Sequence, residues 1–446
     1  MKMVWLVVWP LAINAITKTQ TQWDDSGHTL TFSDSRCAPH NIQLGDFRAF
    51  ARSLVTDARK GLEDLLPPEI PISELFDAID LKKLKDKPCS QSSFLQQNEK
   101  IFEPLVEKVF QSLTSQAEST HRLMTRKKDA ENKYLSLRLK TWFSKEQALL
   151  RSILCAYFLT CGIPPRGFQA AELRFASSKN GKRNVYIMKG RLIFGWPRSK
   201  AFSRAVQAAL WSLPPELGQI ITVYLGVLRP VALKIAEDAL LEPSPDSKHM
   251  VFANTISVGA RADCWSSDYI CGVLKARTAE PIGLSLGPQR LRQILSAIFR
   301  KHLPILIDPT IRSSYQANLR TSVANRQADH TQQTSNFHYG VSLGPSSSLN
   351  LPDADVDRFI EVSEAWQAIL DLVPGSRNFL DCLHGVPQYK ESVYRDFAYE
   401  RVRGLVCKNY NLGGDCTSSR KTAVSLLSSL RFVPSSYNNV STPILD

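Results

Sequence analysis

The chain has 446 residues and a mass of 50.0 kDa, too long for one ordinary hydrophobic core, which predicts two or three domains. Its 43% hydrophobic, 9% aromatic and 22% charged residues exclude an intrinsically disordered polyelectrolyte. The 55 Lys and Arg outnumber 42 Asp and Glu, for a net charge of +13, which favours a polyanionic partner, nucleic acid before an anionic membrane.

At the N-terminus, Lys2 precedes an apolar run from Val4 to Ile13 broken only by Pro10. It resembles a short signal-peptide core, so a secreted protein is the minor alternative for localisation; a buried strand is the other reading. The run is too short to span a bilayer, and no later stretch is long enough either. The nine cysteines stand at 37, 89, 155, 161, 264, 271, 382, 407 and 416 with no CxxC among them. That fits reduced thiols in the cytosol or nucleus rather than a disulfide scaffold. Cys382 with His384, or Cys407 with Cys416, has the wrong spacing for zinc, so no metal site is expected.

Helical periodicity begins at Asn41 and continues to about Leu84, with Phe47, Phe50, Leu54, Leu62, Leu65 and Leu66 recurring until Pro67 and Pro68 break it. A second helical stretch covers Glu99 to Thr125, with Phe102, Leu105, Val109, Phe110 and Leu113 on one face, and a third covers Asp129 to Leu159. Residues 37–145 therefore read as an all-helical unit. Between Arg122 and Arg151 nine basic side chains face three acidic ones, usually the sign of a solvated face. After Gly162, Pro164 and Pro165, Arg166 opens a short helical segment, RGFQAAELRF. A hairpin follows: Asn184–Met188, a turn at Lys189-Gly190, and Arg191–Trp196. Arg174 to Arg204 contains nine Lys or Arg and no Asp or Glu, which favours a phosphate-contacting hairpin. Pro214–Leu228 and Ala232–Leu241 read as core helices, 248–286 as loop-rich, and Pro288 as the first turn of another helix. From Arg290 to Arg326 seven basic residues meet only Asp308. GPSSSLNLPDAD at 344–355 reads as a linker, followed by a helix carrying Phe359, Val362, Trp366 and Leu370. The chain carries no P-loop, GxGxxG, HExxH or GxSxG, so no nucleotide motor is encoded in it.

Three pieces of the basic region stand in a telling order: Arg166 with Gln169 at a helix start, Lys200 after the hairpin, and QADHTQQTSNFHYG, where His330 lies nine residues before Tyr339. This arrangement resembles the tyrosine recombinases. It is most similar to their fungal branch, the recombinases of Crypton-type transposons and the related domain of telomere-linked, RecQ-like helicase proteins. The segment PRGFQAAELR looks like that branch's "ARG-x-E-x-x-x-LR", with Gln169 in place of the usual Glu. RNVYIMKGRLIFGWPRSK resembles its hairpin, and FIEVSEAWQAIL its "F…S-x-x-W-H" helix. The likeness runs from about Leu44 to Leu370.

The resemblance implies a fold, a chemistry and a partner. The fold is mainly α with a small antiparallel β hairpin or sheet (α+β), arranged as a two-domain clamp. Residues 37–145 form the helical core-binding unit and 146–345 the catalytic one. They are flanked by an N-terminal segment at 1–36 and by a linker and helical tail at 346–446. The partner is double-stranded DNA, with self-association on it, and with no membrane, small-molecule substrate or cofactor. The location is the nucleus. In the implied chemistry Tyr339 attacks the phosphodiester, forming a 3′-phosphotyrosyl intermediate. Arg166 and Arg312 clamp the non-bridging oxygens, Lys200 protonates the leaving 5′-oxygen, and His330 binds the phosphate or assists proton transfer. The second arginine is the weak match: Pro309 stands where the family has a histidine before Arg312, and Arg320 is the rival placement. Expected phosphate contacts are Arg174, Lys182, Arg183, Lys189, Arg191, Arg198, Arg290, Arg292 and Arg320. The competing expectation is a catalytically decayed DNA-binding remnant, in which Arg166, Lys200, His330 and Tyr339 serve ordinary surface, capping or half-buried roles.

Overall fold

A computed structural model of the chain describes residues 20–35, 37–88, 90–115, 123–124, 134–200, 203–257, 264–303 and 353–373. The chain divides into two compact units, Met1–Arg377 and Asn378–Asp446, and every described residue lies in the first. The signal-like run at Val4–Ile13 lies outside the described residues.

The described residues form a mainly helical α+β fold with two three-stranded antiparallel sheets. The first sheet comprises β1 (Gln20–Trp23), β2 (Thr29–Asp34) and β3 (Cys37–Gln43), in that order. It corrects the all-helical expectation for the start of the 37–145 unit. Its signal was a period of two in TLTFSD, which buries Leu30 and Phe32 on one face. The turn into β2 is held by the Asp24 carboxylate, which accepts the Ser26 hydroxyl at 2.7 Å and the backbone N–H groups of His28 and Thr29. These bonds hold the Asp24 carboxyl well below its usual range.

Helix α1 (Leu44–Glu63) buries Phe47, Phe50, Leu54, Val55 and Leu62 along one side, the face that the heptad-like spacing marked out. That side packs along the long helix α5 (Ser136–Thr160). Between them run α2 (Ile72–Ala78), α3 (Phe94–Gln97) and α4 (Glu99–Thr114). From Ile153 to Thr160 every residue of α5 is buried, so α5 is a central helix wrapped on all sides. The boundary expected between residues 145 and 146 falls inside it.

The short α6 (Gly167–Ala171) leads to the second sheet: β4 (Val185–Met188), β5 (Arg191–Lys200) and β6 (Ser203–Ser212). The β4–β5 hairpin has the expected register, Met188 facing Arg191. Lys189 and Gly190 both take positive φ (52° and 70°), as the tightest two-residue turn between twisted strands requires. The third strand was not expected, because SRAVQAALWS is rich in good helix formers.

Helix α7 (Pro215–Asp238) is long and apolar enough to cross a membrane, yet 78% of its most apolar stretch is buried inside the fold. A π-helical turn at Tyr224–Leu228 interrupts it. There Gly226 lies against Phe102 of α4; a β-carbon would come within 2.4 Å of that ring. Then come α8 (Ser267–Ala279), α9 (Pro288–His302) and α10 (Asp353–Ile369). Helix α8 replaces part of the loop expected at 248–286. Its buried stripe is only Ile270, Leu274 and Thr278, too narrow to read as a helix from sequence.

Helix α10 closes the core. Phe359, Ser363 and Trp366 are fully buried. The Trp366 indole donates to the Leu159 carbonyl at 2.7 Å, and its ring stacks on Phe299 and meets Phe47 edge-on. The Ser363 hydroxyl donates to Cys161 O and accepts from Ser212 N–H, while Gln367 donates to Ser212 O. One helix face thus ties α1, α5, α9 and β6 together.

Candidate functional site

Arg166 is the residue just before α6, in extended conformation after the Pro164-Pro165 corner. Its N–H donates to the Gln169 side-chain oxygen at 2.8 Å. Gln169 is buried, so the side chain standing where the resembled family has Glu caps its own helix. The start of α6 packs into the start of two other helices: a β-carbon on Gly167 would lie 2.6 Å from Ser267 Oγ of α8 and 3.6 Å from Pro288 of α9. Next to Arg166, the half-exposed Phe168 meets Trp196 of β5 edge-on at 5.7 Å. Tyr269 of α8, also half-exposed, contacts Trp265 in the same manner at 4.9 Å. Three helix N-termini, Arg166 and two partly exposed aromatic rings therefore share one neighbourhood, beside the strand that ends in Lys200. Helix N-termini contribute partial positive charge where an anion can meet it.

Lys200 ends β5 and pairs in register with Ser203, with a register shift between Arg198 and Lys200. Arg312, Arg320, His330 and Tyr339 lie outside the described residues. The structure thus brings Arg166 to the strand carrying Lys200 through the Phe168–Trp196 contact, and describes none of the remaining predicted catalytic residues.

The expected phosphate contacts sort differently. Arg183 is buried, and its guanidinium donates to both oxygens of Asp86 (3.0 and 2.7 Å) and to the carbonyls of Ser90, Lys87 and Val185. That leaves it no N–H for a phosphate; it lies over the Tyr186 ring and serves the fold. Arg174 pairs with Glu172 at 2.9 Å, Lys189 with Asp357 at 2.5 Å, Arg191 with Glu364 at 2.6 Å, and Arg290 with both oxygens of Asp34. Arg292 is nearly buried and donates to the Pro164 carbonyl at 2.7 Å. Lys182 is exposed. The absence of acids within 174–204 does not leave Arg174, Arg183, Lys189 and Arg191 unpaired: Glu172 lies two positions before Arg174, and Asp86, Asp357 and Glu364 come from distant parts of the chain.

A cationic cluster that the motif reading passed over lies in the loop LKKLKDKP at 81–88. Lys82, Lys83, Lys85 and Lys87 are exposed, while the Asp86 carboxylate among them is wholly buried in the pair with Arg183. The alternation of lysine with Leu84 and Asp86 was the available signal.

A second buried charge network sits under α7. Glu146, on α5, is fully buried; its Oε1 accepts the hydroxyls of Tyr224 (2.8 Å) and Thr255 (2.5 Å) and lies 3.7 Å from the Arg229 guanidinium. Arg229 donates to Tyr224 Oη and to the carbonyls of Ser247, Met250, Val251 and Ala253, fixing the 245–253 loop. Burial raises the Glu146 carboxyl above its ordinary value, against the opposing pull of Arg229 and the two hydroxyls. Burial likewise pushes the Cys155 thiol up to about 12. Among the described residues no group of three His, Cys, Asp or Glu is placed to hold a metal ion.

No family model, no curated protein and no solved structure matches this chain.

Proposed function

We propose that the chain is a DNA-binding protein of tyrosine-recombinase type, which cleaves and rejoins a DNA strand through a 3′-phosphotyrosyl intermediate. The observation that carries this reading is the neighbourhood of Arg166. Arg166 stands at a helix start whose next residues touch the starts of α8 and α9, through Gly167, and the strand that ends in Lys200, through Phe168. These are the two groups that the reaction needs on the phosphate and on the leaving oxygen. The F…S-x-x-W helix adds support, since Phe359, Ser363 and Trp366 anchor α10 under the same sheet.

The chemistry follows from the residue types. The Tyr339 phenol passes its proton on with the help of His330 as its oxygen bonds to phosphorus and the bond to the 5′-oxygen breaks. Lys200 gives that oxygen its proton, and Arg166, with Arg312, holds the charge that builds on the non-bridging oxygens. Attack by a second 5′-hydroxyl reverses the step and releases the tyrosine. A clamp around the duplex, with residues 37–145 on one side and 146–345 on the other, belongs to the same proposal, as do a nuclear location and self-association on DNA.

The test is incubation with nicked duplexes, from which the short cleaved strand diffuses away and traps the adduct. A detergent-resistant protein–DNA band is expected with the intact chain and not with Tyr339→Phe. Arg166→Ala is expected to slow its formation about a hundredfold, the loss of ~3 kcal/mol of transition-state stabilisation. Salt-sensitive binding with no adduct on any duplex would overturn the strand-cleavage step and leave a DNA-binding module without chemistry.

A further inference from the structure

We infer that the lysine loop at 81–88, together with Lys179 and Lys182, is a surface for the phosphate backbone of duplex DNA; this rests on the DNA-binding part of the reading above. The lysines of the 81–88 loop belong to none of the motifs that suggested DNA, whereas Lys179 and Lys182 lie in the basic 174–204 stretch that did.

Three features of the structure converge on it. The first is charge that is not neutralised within the fold. Lys82, Lys85, Lys87, Lys179 and Lys182 are exposed, and among the described residues none of them has a carboxylate within salt-bridge distance; Lys83 has one, the half-exposed Asp80 at 3.5 Å. This contrasts with Arg183 and Arg191 of the neighbouring hairpin, which are held by Asp86 and Glu364.

The second is rigidity. The loop is fixed through its backbone and through Asp86, leaving the lysine side chains outside. Lys85 N–H donates to Asn98 Oδ1 at 2.9 Å, and Asn98 Nδ2 returns a bond to Lys85 O at 2.6 Å. Lys87 N–H donates to Gln97 Oε1 at 3.0 Å. Asp86 accepts from Arg183, from Gln97 and from the Ile187 N–H of edge strand β4 at 2.8 Å. Lys82 lies across Gly190, joining the loop to the hairpin turn. A surface ordered in advance loses little entropy on binding.

The third is composition. The cluster is all lysine, which contacts phosphates as a point charge and carries no planar fork for reading base edges. No large hydrophobic side chain is exposed in it; the exposed ones among the described residues are Leu137, Phe168, Leu240 and Tyr269. That argues for a polyanionic backbone over a membrane surface or a protein partner, both of which reward exposed apolar anchors.

The test compares salt titrations of binding to a fluorescent mixed-sequence DNA duplex for the full chain, the triple variant Lys82→Gln, Lys85→Gln, Lys87→Gln, and a control triple of equally exposed lysines elsewhere, Lys60→Gln, Lys100→Gln, Lys301→Gln. Each lost phosphate contact lowers the slope of log K against log salt by about 0.9. The loop variant is expected to lose about 2 to 3 from that slope and to bind at least tenfold more weakly at moderate salt, with the control close to the parent. Equal slopes for loop variant and control overturn the inference while leaving DNA binding intact. A parent chain that does not bind duplex overturns both. Vesicles carrying anionic lipid serve as the rival probe, and loop-dependent binding to them in preference to DNA overturns the assignment. Tyr339→Phe is expected to bind like the parent, so loss of strand cleavage alone leaves the inference standing.

Discussion

The buried Asp86–Arg183 pair makes a sharp energetic prediction. The two side chains are almost wholly shielded from solvent, and the carboxylate accepts from Arg183 through both terminal nitrogens, from Gln97 and from the Ile187 N–H. Asp86→Ala strands a buried guanidinium with unmade bonds and leaves the β4 edge amide unpaired. Breaking a buried pair from one side costs about 3–5 kcal/mol. At about 2–4 °C per kcal/mol for a unit of this size, Tm should fall by about 10 °C. Arg183→Met should cost a similar amount, because it leaves the carboxylate and the carbonyls of Lys87 and Ser90 without their donors. The double variant buries neither charge, so it should be less destabilised than the sum of the singles by about 2 kcal/mol. Urea unfolding followed by tryptophan fluorescence, with far-UV circular dichroism as a second probe, measures all three. Additive losses, or an Asp86→Ala cost below about 1 kcal/mol, would show that the pair does not hold the loop against the sheet.

Three further outcomes follow from the packing. Trp366→Ala removes a fully buried ring and orphans the Leu159 carbonyl, so it should destabilise by about 3–5 kcal/mol in the same unfolding assay. Gly190→Ala forces a side chain into positive φ and against Lys82, and should cost about 1–3 kcal/mol, whereas Gly45→Ala, with open space around it, should be near neutral. Glu146 binds its proton more tightly in the fold than in the unfolded chain. Its contribution is therefore fully present below the ordinary glutamate value and is lost as pH rises through the raised one. The stability of the parent relative to Glu146→Gln should accordingly fall as pH rises above the ordinary glutamate range; a flat or rising difference would contradict a raised carboxyl.

What could be read from sequence followed how local each signal was. The β4–β5 hairpin, α9 and α10 were legible because their cues lie within a few residues: Lys189-Gly190 at the turn, Pro288 at a helix start, and the spacing of Phe359, Val362 and Trp366. Strand β6 and helix α8 were not, since their local composition contradicts or barely supports the state that packing selects. The electrostatics failed for a similar reason. Counting charges over 174–204 ignored partners far along the chain: Asp86 lies 97 positions from Arg183, Asp357 lies 168 from Lys189, and Glu364 lies 173 from Arg191. In the lysine loop the situation is reversed. Its one acid is turned inward into the pair with Arg183, and the lysines are left outside. The helix start at Arg166 was legible from its Pro-Pro corner, yet its convergence with the starts of α8 and α9 was not, because no helix was expected at Ser267.

The central claim concerns covalent chemistry at one tyrosine, and peptide mapping of the trapped adduct tests it most directly. After nicked-duplex incubation, nuclease trimming and proteolysis, mass spectrometry should find the residual nucleotide on the peptide containing Tyr339, joined through its phenol oxygen to a 3′-phosphate. A nucleotide carried by any other residue, or a chain that binds duplex tightly and never forms the adduct, would contradict it.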